Sequence, residues 1–301
     1  MANRLGVFHR SIVLVFRLKV CRSLPPYLSK PKVRVLASSQ TKRVSSPMTT
    51  LLPVSSFEQT PSVKDGVGFD TERLHRRAGC DLIQEAAELL HFPQAAAVTG
   101  QNLLHRFYYR KSLMQFDHFT ISMGCVLLAS KVEEVPKGIR EIVMIFYTIY
   151  HRRKRLSGSD KLEIGSEQYI NWKDELVTAE QYVLKELGYC LYSAMDHPHK
   201  YLFYYMKILG GTDELAQVSW NYLNDSMRTD LCVRYPAPAI AASAIYIAAR
   251  KTGHPLSGQK WYELMEADLQ TIYDISDTIL QLYEEKVPLW LKPLNTDGLA
   301  T

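Results

Sequence analysis

Two histidines flanking a proline, His197-Pro-His199, come nearest to metal chemistry in this sequence. They would supply half of a ligand set, and the proline reads more simply as part of a helix N-terminus. Gly66-Val-Gly68 has the small residues of a phosphate-cradling loop but lacks the third glycine and the preceding strand. The five cysteines, Cys21, Cys80, Cys125, Cys190 and Cys232, are scattered without a CxxC or other zinc spacing. That usage predicts reduced thiols in a nuclear or cytosolic protein. His91, His105 and His118 are isolated and read as ordinary surface or interface histidines. No GxSxG elbow, HExxH or kinase signature set is present. Nothing assembles a nucleophile, a base and an orienting group, so no catalytic residue, metal or cofactor is expected.

The residues that remain are held by helices. From about Thr71 onward the apolar positions recur at spacings of three and four, with almost no sustained alternation. The pattern predicts helices over 71–91, 94–110, 118–131, 138–150 and 168–187, with Gly188 as a stop signal. It then runs again over 198–209, 213–229, 237–250, a short helix around 259–265, and 268–286. The segments 118–131 and 237–250 are small and apolar nearly all round, so each should be buried at the centre of its set. The expected fold is all-α, two tandem repeats of about five helices each. Expected boundaries are a basic leader over 1–50, a Ser/Pro/Gly-rich linker over 51–70, repeats over 71–192 and 193–290, and a tail over 291–301.

Composition narrows the function. The chain is 47% hydrophobic and 22% charged, as in a soluble globular protein. Residues 1–50 hold ten Lys or Arg and no acid, leaving 26 basic against 31 acidic residues in the rest. The folded part is therefore mildly acidic, which argues against direct nucleic-acid binding by it. No apolar run reaches the roughly 18 residues of a membrane span. The leader fits a mitochondrial transit peptide, a disordered basic tail, or an extension upstream of Met48 as the more usual start. The run Arg152–Arg155 reads as a solvated loop between two helices, with nuclear import or nucleic-acid contact as the alternative.

Two stretches point to a family. Ala129-Ser-Lys-Val-Glu-Glu134 and Ala179-Glu-Gln-Tyr-Val-Leu-Lys-Glu-Leu-Gly188 resemble the cyclin box, and the resemblance covers roughly residues 71–290. Ala78-Gly-Cys-Asp-Leu-Ile-Gln84, His197-Pro-His-Lys200, Asn221–Asp230 and Val233-Arg234 are similar to cyclin L. The resemblance implies tandem cyclin folds and a nuclear regulatory subunit without catalysis of its own. The implied partner is a cyclin-dependent serine/threonine kinase of the PITSLRE or another transcriptional type. The implied role lies in RNA polymerase II transcription and pre-mRNA splicing. Cyclin K or T is the competing assignment within the family, and a TFIIB-like DNA-binding factor the alternative on the same fold.

By the same resemblance, the lysine and glutamate that grip the kinase fall at Lys131 and Glu180. Glu180 lies roughly 20° beyond Leu187, on the flank of its helix's apolar stripe, able to reach across an interface. Lys131 closes the buried helix, where a cation also complements the helix C-terminus. Leu128, Ile139, Val143, Phe146 and Leu184 are the apolar contacts expected around them, each of which helix faces would also allow in the core. Two departures accompany the likeness. Arg76-Arg-Ala-Gly-Cys80 lacks the apolar residues of the substrate-docking patch that cell-cycle cyclins carry, so no recruitment through it is expected. Cyclin L members often carry a long Arg/Ser-rich tail, whereas this sequence stops at Thr301. That difference bears on localisation to splicing bodies and on a direct splicing role.

Overall fold

Short polar side chains set where the helices begin. In the computed structural model, which describes residues 51–53, 55–156, 162–256, 260–285 and 288–294, Asp117 accepts from the Phe119 and Thr120 amides to open one helix. Ser166, Thr212 and Asp268 each accept from the amide three residues on. Such caps satisfy N–H groups that the first helical turn leaves unpaired. Gly210, at φ 63°, stops one helix in the left-handed region that favours glycine.

The elements follow in chain order. Two short turns, α1 (Ser55–Glu58) and α2 (Pro61–Lys64), precede α3 (Phe69–Leu89), α4 (Gln94–Tyr108), α5 (His118–Val132), α6 (Ile139–Lys154) and α7 (Glu167–Glu186). After a 3-10 turn at Tyr192–Ala194 come α8 (His199–Leu209), α9 (Asp213–Ser226), α10 (Leu231–Arg234) and α11 (Ala237–Thr252). A second 3-10 turn, Glu263–Met265, leads to α12 (Leu269–Gln281). It stands where the short helix around 259–265 was predicted. No strand occurs among the described residues. The basic leader, 1–50, lies outside them.

Two apolar cores result, each built on a small-residue helix. In the first, α5 supplies Ile121, Met123, Cys125, Leu127 and Leu128, packed against α3, α4 and α7. In the second, α11 supplies Ile240, Ala241, Ala244, Ile245 and Ala248, packed against α9 and α12. A helix with no polar face is stable only when neighbours cover it all round, and both are so covered. The tandem helical repeat read from the sequence is therefore the observed architecture.

Several polar residues depart from the sequence reading, each with at least one partner distant in the chain. Residues 51–70, expected as a linker, pack on the folded part through the two short turns. Thr60 caps α2 and its hydroxyl donates to buried Glu72. Arg76 and Arg77, charged residues of α3, are buried. Arg76 pairs with Glu72 and donates to the carbonyls of His105 and Tyr108, while Arg77 donates to the carbonyl of Leu282. The basic run at 152–155 is no loop. Residues 151–154 are the last turn of α6 and Arg155 is its C-cap, and Arg152 and Arg153 meet Glu85 of α3.

Among the isolated histidines, His91 is exposed, but His105 and His118 are enclosed. Burial pushes His75, His105 and His199 down to about 4 from the ordinary value near 6.5. The folded state therefore holds them neutral where the unfolded chain would bind protons. Their contribution is complete above pH 6.5 and is lost as pH falls toward 4. Each costs about 1.4 kcal/mol per pH unit within that window. Urea melts between pH 4 and 7 should show this slope falling by about one proton in His105→Gln, and an unchanged slope would mean His105 is protonated in the fold.

Candidate functional site

A glycine decides how closely the two central helices of the first repeat approach. A Cβ placed on Gly124 of α5 would lie 2.7 Å from the Ala179 carbonyl carbon and 2.8 Å from the Glu180 nitrogen. Only hydrogen fits there, so α5 and α7 touch backbone to backbone. That contact sets the spacing of the side chains one or two turns along. Lys131, in the last turn of α5, reaches Glu180 of α7, with Nζ 2.6 Å from Oε1.

The pair sits at the rim. The Lys131 side chain is 53% exposed and that of Glu180 is 12% exposed. No second hydrogen bond joins either group among the described residues. Two N–H donors of the ammonium and a second carboxylate oxygen are therefore unused among the described residues. An ion pair held in place by packed helices presents donor and acceptor side by side, an arrangement suited to gripping the backbone of a partner. It offers no nucleophile and no proton shuttle.

The end of α5 is fixed from behind. The Thr99 hydroxyl of α4 donates to Glu133 at 2.6 Å, and His197 Nε2 lies 3.0 Å from that hydroxyl and 3.4 Å from the same carboxylate. His199 turns instead to Asn224, with Nε2 2.8 Å from Oδ1. The two histidines flanking Pro198 thus serve different partners, and no group of three potential metal ligands forms among the described residues.

The apolar residues expected around the pair divide. Ile139 and Leu184 are half-buried and remain on the surface. Leu128 is 4% exposed, and Val143 and Phe146 are wholly enclosed in the first core. Those two therefore offer no surface to a partner, because they form the inward stripe of α6. Met144 and Ile145, which sequence reasoning passed over, are half-buried and with Arg140 and Glu141 line a shallow depression at the start of α6. The signal for them was legible. At about 100° per residue, Met144 falls nearly opposite the inward stripe and Ile145 well off it, so both reach only the edge of the core.

The stretches that carried the narrower likeness meet where the repeats join. Arg228 forms a bidentate pair with Asp81 of α3, with N–O distances of 2.6 and 2.9 Å. Tyr109 donates to Asp230, and Arg234 pairs with the same carboxylate at 2.7 Å. His105 Nε2 lies 3.2 Å from the carbonyl of Met227. Those motif residues hold one repeat against the other.

Comparison with known proteins gives the same picture. Residues 55–192 match the family described as the cyclin N-terminal domain. The chain is 41% identical over 239 residues to Cyclin-L2 of Rattus norvegicus, covering 78% of this chain and 45% of that protein. It thus spans about half the length of the curated relatives it matches. Among solved structures, it is similar to a chain of the yeast RNA Pol II CTD kinase CTDK-1 complex. The TM-score is 0.64 at 16% identity, over 82% of this chain and 80% of that one. It also resembles a viral cyclin from herpesvirus saimiri, with a TM-score of 0.54 at 14% identity over 73% and 86% of the two chains. At such identities these two likenesses speak to the fold alone.

Proposed function

We propose that this chain, a member of the cyclin family by its N-terminal domain and its similarity to cyclin L, is the non-catalytic regulatory subunit of a cyclin-dependent serine/threonine kinase. The observation that carries this reading is the rim pair Lys131–Glu180, set by the close approach of α5 and α7. A protein kinase is active only when the Glu of its αC helix pairs with its β3 Lys, which αC positioning controls. A subunit that binds the αC-in state more tightly shifts the equilibrium toward activity by its differential affinity. In this reading Lys131 and Glu180 hydrogen-bond the kinase chain, while Ile139, Leu184, Met144 and Ile145 give apolar contact. Leu128 is buried in the first core.

The similarity to cyclin L extends the proposal to a transcription-type partner, PITSLRE or related, acting in the nucleus on RNA polymerase II transcription and on pre-mRNA splicing. The test is to recover the full chain from cells under mild conditions and identify what accompanies it. We expect one kinase at near-equal amount, found by mass spectrometry, with activity on a polymerase C-terminal repeat peptide. A well-folded chain that brings down no kinase would overturn the regulatory reading. A kinase without activity on that peptide would overturn only its transcriptional part.

A further inference from the structure

Away from the rim pair, the two repeats meet around a cleft rich in guanidinium groups. Arg73, Arg76 and Arg77 of α3 face Arg228 and Arg234 of the second repeat across it. Its free volume of about 70 Å³ is several times the roughly 10–15 Å³ that one water needs. That leaves space for a tetrahedral oxyanion.

The cations in this cleft are unevenly matched. Arg76 is taken up by buried Glu72, Arg228 by Asp81, and Arg234 by Asp230. Arg73 and Arg77 instead share one carboxylate in the cleft, Glu285, which is 33% exposed. The other acid near Arg73 is Asp70, at 3.5 Å and 90% exposed. Arg77 has a side chain only 7% exposed, donates through Nη1 to Glu285 at 3.3 Å and through Nη2 to the carbonyl of Leu282, and leaves Nε without a partner among the described residues. A buried donor left unpaired is unfavourable, and buried polar groups are rarely so. Burial, and then the neighbouring charge of Arg228, lower the pKa of Arg77, which places a crowded cation at this wall.

We propose that this inter-repeat cleft binds the phosphoryl group of a phosphorylated peptide side chain, held by Arg73 and Arg77, with Glu285 as its built-in competitor. A phosphoryl group carries −1.5 to −2 charge at neutral pH and three acceptor oxygens. It therefore answers two guanidinium groups better than one carboxylate does, and the planar fork of Arg suits it in bidentate geometry. Phe69, 53% exposed and lining the same cleft, gives apolar surface for the peptide that carries the group. Glu285 lies beyond the end of α12, so it leaves the cleft without breaking a helix.

The test uses the full chain and calorimetric titration at constant ionic strength, with sodium chloride replaced in step, since screening alone changes such contacts. The probes are inorganic phosphate and the capped peptide Ala-Ala-phosphoserine-Ala-Ala with its unphosphorylated counterpart. Saturable binding is expected, at least threefold tighter for the phosphopeptide than for phosphate and absent for the unphosphorylated peptide. Glu285→Gln should tighten phosphopeptide binding at least threefold and Arg73→Gln weaken it at least threefold, with circular dichroism confirming that both variants fold. Phosphate binding without any gain from the peptide would overturn the peptide source. Affinity unmoved by both substitutions would overturn the placement, and no binding even in Glu285→Gln would overturn the site.

Discussion

Gly124→Ala is expected to destabilise the fold by about 3 kcal/mol, although the same change in an ordinary helix stabilises it. In an exposed helix interior, alanine is better than glycine by roughly 0.5–1 kcal/mol. Here the added methyl meets the Ala179 carbonyl carbon at 2.7 Å, its Cβ at 2.8 Å and the Glu180 nitrogen at 2.8 Å. Two of those atoms are backbone of α7 and cannot rotate away, so the helices must part. Gly100→Ala supplies the control. Its methyl would meet Ile83 Cγ2 at 3.0 Å, a side-chain atom that must give by a few tenths of an ångström, and Ala129 Cβ at an ordinary 3.6 Å. That change should stay within about 1 kcal/mol of the parent. Urea unfolding with unchanged slope measures both. A Gly124→Ala protein as stable as the parent would show that α5 and α7 stand further apart than described. The change should weaken partner binding too, because the same helices carry Lys131 and Glu180.

Periodicity made the helices legible, and the two central ones most plainly. A run such as Ile240–Ala249 has no side on which water is tolerated, so its burial follows from composition alone. Where the reading failed, the deciding partner lay far along the chain. Nothing near Arg152 or Arg153 announces Glu85, 68 residues before Arg153, and without it a charged run reads as solvated. Arg77 looks like surface until the Leu282 carbonyl, 205 residues on, is brought to it. The rim pair is a different case. Lys131 and Glu180 are ordinary residue types at ordinary positions, and the family resemblance singled them out. Gly124 explains why they meet, yet a glycine in a small-residue helix stands out only once α7 is known to cross it. Of the five apolar contacts expected around the pair, two lie on the inward face of α6. Val143 and Phe146 are needed inside, while Met144 and Ile145, like Ile139 and Leu184, stay half-buried at the edge of the core.

Exchanging the two charges, Lys131→Glu with Glu180→Lys, is expected to leave the fold intact and to weaken kinase binding at least about 100-fold, or about 2.7 kcal/mol. Either change alone would set like charges side by side, at 2.6 Å in the parent geometry, and a loss of binding would then be open to a stability explanation. The exchange keeps an ion pair in the same place. With one partner half-exposed, such a pair contributes on the order of 0–1 kcal/mol, so the melting curve should move little. The face offered to a partner is nevertheless reversed, because donors stand where acceptors stood. At an interface the cost of a mismatched, hydrogen-bonded charge pair is typically 2–5 kcal/mol, much of it from groups left buried and unpaired on the other side. Stability by circular dichroism and affinity by calorimetry with the co-purified kinase separate the two effects. A folded double variant that binds as tightly as the parent would remove Lys131 and Glu180 from the interface and leave their pairing a purely internal tie between α5 and α7. Loss of binding with the melting curve unmoved would place the contact at these two side chains, since nothing else on the surface has changed.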